Sequence, residues 1–156
     1  LRPVHAAILS SPALAADTNA VQKLLLTTLP RWAPHVCVDN GLKVEWLARD
    51  PAVVQAYRDD PLVHRKISAG LAAWILQEGP RTVAQAAQWR VPTLLVYAGQ
   101  DRLVNPQGSA DFAAAAPTQV VHAQCFAPMY HEIFNDPERA HVLEVVTRWL
   151  NSRLLA

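Results

Sequence analysis

Two residues in this 156-residue sequence, Asp101 and His131, each stand just beyond a segment patterned like a buried strand. A carboxylate beside an imidazole fixes the ring tautomer and stabilises the imidazolium formed when the ring takes a proton, so such a pair can activate a hydroxyl nucleophile. The elements that must position them can be read directly. The run Val91-Pro-Thr-Leu-Leu-Val-Tyr-Ala-Gly-Gln-Asp101 stays apolar up to a Gly turn, the pattern of a strand covered on both faces of a parallel sheet. The run Thr118-Gln-Val-Val-His-Ala-Gln-Cys-Phe126 leads into the loop Ala127-Pro-Met-Tyr-His-Glu-Ile-Phe134, which sets His131 beyond the same carboxyl edge. Open α/β sheets bind ligands at that edge. By residue type alone, an Asp after a Gly turn also serves as a turn or helix-capping residue, and a lone His as a structural one.

A longer pattern surrounds both residues. The string Gly99-Gln-Asp-Arg-Leu-Val-Asn-Pro106, then Tyr130-His-Glu-Ile-Phe-Asn-Asp-Pro-Glu-Arg139 and a last helix ending Arg148-Trp-Leu150, closely resembles the monoglyceride lipase and lysophospholipase branch of the α/β-hydrolases, also grouped with the serine aminopeptidase S33-like hydrolases. The segment Arg49-Asp-Pro-Ala-Val-Val-Gln-Ala-Tyr-Arg-Asp-Asp-Pro-Leu-Val-His64 resembles the cap of bacterial monoacylglycerol lipases, as does Ile8-Leu-Ser-Ser-Pro-Ala-Leu14. The resemblance covers essentially all of the chain and corresponds to the carboxyl-terminal half of the family's catalytic domain. In α/β-hydrolases the triad runs Ser, then Asp or Glu, then His. The resemblance therefore implies Asp101 and His131 as the second and third members, with the first sheet strands, the oxyanion-hole loop and the G-x-S-x-G elbow expected before residue 1.

None of the five serines fits a nucleophile elbow, which needs small residues on both sides of a tight strand-to-helix turn. Ser68 has Gly70 after it but Lys66 where the first Gly belongs; Ser109 falls in the helix after Asp101; Ser10 and Ser11 end the first strand; Ser152 fits no better. The chain by itself is expected to be inactive, as part of a longer serine hydrolase whose nucleophile lies elsewhere.

The expected organisation is a core strand and loop over residues 1–17, a helical cap over 18–90 punctuated by Pro30, Pro34, Pro51, Pro61 and Pro80, and an α/β core over 91–156. Val4 to Ser10 reads as a short buried strand. Asn105-Pro106 supplies an N-cap and first-turn Pro for the next helix, completing a strand-helix-strand unit. Asp136-Pro137 starts the last helix, whose Val142, Val145, Val146, Trp149 and Leu150 form an apolar stripe. In the cap, Leu24, Leu25, Leu26, Leu29, Trp32, Trp46, Leu47, Leu71, Trp74, Ile75 and Leu76 are expected mostly to pack it onto the core; so apolar a cap also suits a lid over an acyl chain and peripheral contact with a membrane.

A net charge of +1, with 17% charged residues and no basic run, leaves no electrostatic footprint for nucleic acid. No stretch approaches the roughly 20 apolar residues of a membrane span. Cys37 and Cys125 are too few for a disulfide scaffold and read as free buried thiols, which favours a reducing, cytoplasmic setting. His122 and Cys125 fall on opposite faces of one strand, and His131-Glu132 has no second His at helical spacing, so neither a metal nor a cofactor is expected.

The function the resemblance implies is carboxylic ester hydrolysis on a monoacylglycerol or lysophospholipid. Leu103 and Val104, beside Asp101, are the candidates to line the acyl or glycerol pocket. The alternative is a non-catalytic binding module, or a piece that associates with its amino-terminal half or with itself through an exposed sheet edge.

Overall fold

The computed structural model describes residues 4–17 and 28–154. Along the chain the elements are β1 (Ala7–Ser10), β2 (Cys37–Asp39), α1 (Pro51–Asp59), β3 (Lys66–Ser68), α2 (Ala69–Ala84), β4 (Thr93–Ala98), α3 (Pro106–Ala115), β5 (Val121–Phe126) and α4 (Arg139–Leu154). Three of the strands form a parallel sheet in the order β1-β4-β5, and β2 pairs antiparallel with β3.

The centre of the sheet is β4, and its side chains alternate between two cores as a strand's period of two demands. Leu94, Val96 and Ala98 meet Phe126, Met129, Ile133 and the Val142 and Trp149 face of α4. On the other face Leu95 meets Leu14, Ala86 and, from α3 and its end, Phe112 and Ala116. This is the two-sided burial expected from the continuous apolar run, and each fully buried side chain of this size contributes about 1.5–3 kcal/mol. The helices start where the sequence places caps. Asp50 accepts from the Ala52 amide ahead of α1, and Asn105 accepts from the Gln107 amide ahead of α3, each with Pro at the first helical position.

Several expectations are corrected. The first strand starts at Ala7 rather than Val4, and Ile8 is exposed; among the described residues β1 pairs with β4 alone. The second begins at Val121, since Pro117 opens a turn whose carbonyl takes the Val120 and Val121 amides. The cap segment is not purely helical, for Cys37–Asp39 lies extended against Lys66–Ser68. Pro80 does not end a helix: it sits inside α2 on the exposed side, where water can serve the carbonyl left without a donor.

The end of α2 also belongs to the same packing as the sheet. A Cβ on Gly79 would lie 2.6 Å from the Leu14 carbonyl oxygen, so only glycine lets the helix come this close to the strand's exit loop. Of the apolar residues expected to pack inward, Leu47 is buried, but Trp32, Leu71 and Trp74 are exposed; Leu24, Leu25 and Leu26 lie outside the described residues. Leu150 is exposed although it was placed on the apolar stripe of α4, while its neighbour Trp149 packs on the sheet. Both cysteines are exposed rather than buried, Cys125 because β5 is the sheet's outer strand.

Candidate functional site

The loops leaving β4 and β5 are stitched to one another. The Gly99 amide donates to the Phe126 carbonyl at 3.0 Å and the Gln100 amide to the Met129 carbonyl at 3.1 Å. The chains approach so closely that a Cβ on Gly99 would lie 2.7 Å from the Ala127 Cα. Arg102 stacks over the Tyr130 ring at 5.2 Å, adding a cation–π contact between the same two turns. Parallel pairing in register brings the strand ends level, and these contacts then bring the residues beyond them together.

The result is a hydrogen bond of 2.8 Å between His131 Nδ1 and Asp101 Oδ2. Because an ionised carboxylate only accepts, the ring proton is assigned to Nδ1, which leaves the Nε2 lone pair free to accept a proton. No described residue hydrogen-bonds Nε2. The Asp101 side chain is 1% exposed, while that of His131 is 28% exposed. The carboxylate is thus fixed in the interior and the ring opens toward solvent. The second oxygen of Asp101, Oδ1, accepts from the Leu103 and Val104 amides at 2.9 and 3.1 Å, so burial leaves neither oxygen unpaired. Leu103 and Val104, read from the sequence as pocket residues, are half-buried and engage Asp101 through their backbones.

A second buried carboxylate lies five residues beyond His131 in sequence and was legible only as a helix cap. Asp136 does take the Glu138 amide at 2.9 Å, but its side chain is 1% exposed and grips Arg49, with Nε to Oδ2 at 2.8 Å and NH2 to Oδ1 at 2.6 Å. The same guanidinium reaches Glu138 Oε2 at 2.6 Å. The Arg49 fork holds the Asp136 carboxyl below the ordinary carboxylate range, against the opposing effect of burial, and the two carboxylates raise the Arg49 guanidinium further above its already high value. A pairing across 87 residues leaves no local signature; the only hint is an Arg directly before one Asp-Pro and an acidic pair around the other.

Three of the five serines are engaged in hydrogen bonds, and the other two are placed on an edge and inside a helix. Ser68 caps α2 by accepting from the Leu71 amide, Ser152 donates to the Trp149 carbonyl, and Ser109 is buried in α3. Ser11 is buried at the end of β1 with φ +39°, its hydroxyl accepting from the Ala98 amide at 3.3 Å. Ser10 is exposed at the last position of β1. No serine among the described residues stands on a strand-to-helix turn between small residues. Nor do three His, Cys, Asp or Glu side chains among them group to hold a metal ion.

The model of the family described as serine aminopeptidase, S33, matches residues 2–138. A monoacylglycerol lipase from Mycolicibacterium smegmatis is 36% identical over 152 residues, covering 96% of this chain and 54% of that protein. The phospholipase YtpA of Bacillus subtilis is 31% identical over 88% of this chain and 54% of its own length. The chain therefore spans about half the length of these two relatives. Among solved structures, the Paleococcus ferrophilus monoacylglycerol lipase superposes with a TM-score of 0.90 at 32% identity, over 95% of this chain and 59% of that one. A soluble variant of the Saccharomyces cerevisiae monoglyceride lipase, solved with a substrate analogue, has a TM-score of 0.80 at 19% identity, over 93% and 55%, and supports the fold alone.

Proposed function

Since the chain belongs to the serine aminopeptidase S33 family of α/β-hydrolases, in its monoglyceride lipase branch, we propose that it supplies the general base and its orienting carboxylate to a serine hydrolase acting on a monoacylglycerol or lysophospholipid. The observation that carries this is the 2.8 Å bond from His131 to the buried Asp101, at the carboxyl edge of a parallel sheet. The nucleophilic serine and the oxyanion donors lie in the part of the relatives' length that this chain does not span, which we take to be their amino-terminal half. In the reaction His131 Nε2 takes the hydroxyl proton as the serine attacks the ester carbonyl and returns it to the leaving alcohol. It then activates the water that releases the acid. Asp101 keeps the ring in the Nδ1–H tautomer and stabilises the cation formed at each transfer.

Leu103 and Val104 are proposed to border the acyl or glycerol group. Trp32, 89% exposed, together with Leu62, Leu71 and Trp74, suits a cap that rests on a lipid surface. Among the described residues no helix is long and apolar enough to cross a membrane. The unpaired thiols Cys37 and Cys125 suit a reducing cytoplasm. A non-catalytic associating module is the second reading. It is favoured by β1, which among the described residues has a strand on one side only and exposes Ile8, an edge on which the amino-terminal half or a second copy would pair.

The test is to treat the native gene product with a serine-reactive phosphonate and weigh it under denaturing conditions, alongside its His131→Ala variant. One adduct on a chain or companion that includes these residues, lost in the variant, supports the hydrolase. An unlabelled 156-residue species sinks it and leaves the associating module.

A further inference from the structure

We infer that Arg49 is a positioning residue for His131, acting through Asp136 on the loop that carries the imidazole; the inference rests on the catalytic reading of His131. The loop between β5 and α4 is irregular apart from the short 3-10 turn Ile133–Asn135 that follows His131, and it is held from both ends. Its first half is tied by the amides of Gly99 and Gln100 to Phe126 and Met129. Its second half is tied to the segment preceding α1, by the Glu132 amide donating to the Leu47 carbonyl at 2.9 Å and by the Arg49 fork on Asp136.

Leu47 and Ala48 are buried, so the segment that presents Arg49 is itself anchored. With the fork removed, a carboxylate that is 1% exposed loses both of its cationic contacts and gains solvation only by moving outward. Four residues separate it from His131, and the turn Ile133–Asn135 between them is rigid enough to pass on the shift, with Ile133 fully buried and the Asn135 amide bonded to the Glu132 carbonyl. A guanidinium is required because three carboxylate oxygens are met by one planar group; a Lys ammonium keeps the charge and loses the fork. The device also joins the segment entering α1 mechanically to the general base.

The experiment follows the downfield Nδ1 proton of His131 by NMR on the 15N-histidine-labelled protein, assigned by its loss in His131→Ala, in Arg49→Gln, Arg49→Lys, Asp136→Asn and the double variant Arg49→Gln/Asp136→Asn. Each is recorded well below its own thermal midpoint. We expect a sharp proton in the parent, a broadened one in Arg49→Lys, and none in Arg49→Gln. In the double variant, where no buried charge is left unpaired and Glu138 keeps its contact with solvent, the midpoint recovers and the proton stays lost. In the full-length enzyme kcat then falls about 10²-fold with KM little changed. A sharp, unshifted proton in folded Arg49→Gln overturns the inference, and so does a double variant that regains both midpoint and proton, since Arg49 would then matter only for stability. Should the parent show the proton but no turnover and no phosphonate adduct, the catalytic reading fails while the positional coupling still stands or falls on the NMR.

Discussion

The turns at Asp101 and Asp136 bury a carboxylate to the same degree, 1% exposed in each, yet surround it with different chemistry. Asp101 is held by two backbone amides and faces an imidazole; Asp136 is held by one amide and faces a guanidinium. Arginine stays charged at every pH a protein experiences, so the second pair can only fix geometry. An imidazole bonded through Nδ1 still has a lone pair on Nε2, so the first pair has a place to take a proton. Two equally buried acids thus divide into a structural tie and a chemical group according to the partner each meets.

The largest expected effect falls on the first pair. Replacing His131 by Ala in the full-length enzyme should abolish turnover. Asp101→Asn, whose amide would donate to Nδ1 and so put the proton on the wrong ring nitrogen, should lower kcat on the order of 10⁴-fold with the fold retained. Steady-state kinetics with a monoacylglycerol, beside a thermal melt, measure both. An Asp101→Asn enzyme with unimpaired kcat would erase the distinction between the two turns.

The second pair should respond in stability first. Asp136→Asn leaves a guanidinium facing one exposed carboxylate and should cost about 2–3 kcal/mol, less than a fully buried pair because Arg49 is 29% exposed. Chemical denaturation reads this directly, and a loss below about 0.5 kcal/mol would mean the pair contributes nothing net.

Acid should expose the same tie. The folded-state carboxyl of Asp136 titrates below its unfolded value of about 3.9, so its contribution is complete above that value and is lost as the pH falls through the lower, folded one. As the pH falls below about 4 the parent should lose stability more steeply than Asp136→Asn does; parallel curves would contradict the assignment. The smallest effect belongs to Glu138, the exposed third member of the cluster. Glu138→Gln should change stability by at most about 0.5 kcal/mol and leave the His131 proton in place.

The two turns also differ in how far they can be read without coordinates. Asp101 and His131 were legible because each follows an apolar strand pattern, and parallel pairing of neighbouring strands brings their ends to one edge whatever else the fold does. Asp136 was legible only as the residue before Pro137. Asp50 stands before Pro51 in the same way and proves to be a cap alone, with no buried cation opposite it. The flanking Arg49 and Glu138 are the only local difference between these two Asp-Pro pairs; what decides is what packs over each, and for Asp136 that partner is 87 residues away. The exposed Trp32 and Trp74 were misread for the same reason, because hydrophobicity says that a side chain favours burial and not whether a surface is there to bury it.

Local pattern alone therefore determined the buried central strand, the capped helices, that Asp101 and His131 each follow a strand, and the absence of an elbow around any of the five serines. These depend on periodicities of a few residues and on backbone groups that must be satisfied within a turn. Tertiary structure decided which buried carboxylate meets a ring and which a guanidinium, that α2 runs through Pro80 to pack beside Leu14, and that the loop bearing His131 is tied to the segment before α1. Each of these is a contact between groups far apart in sequence, and its energy exists only once the chain has already brought them together.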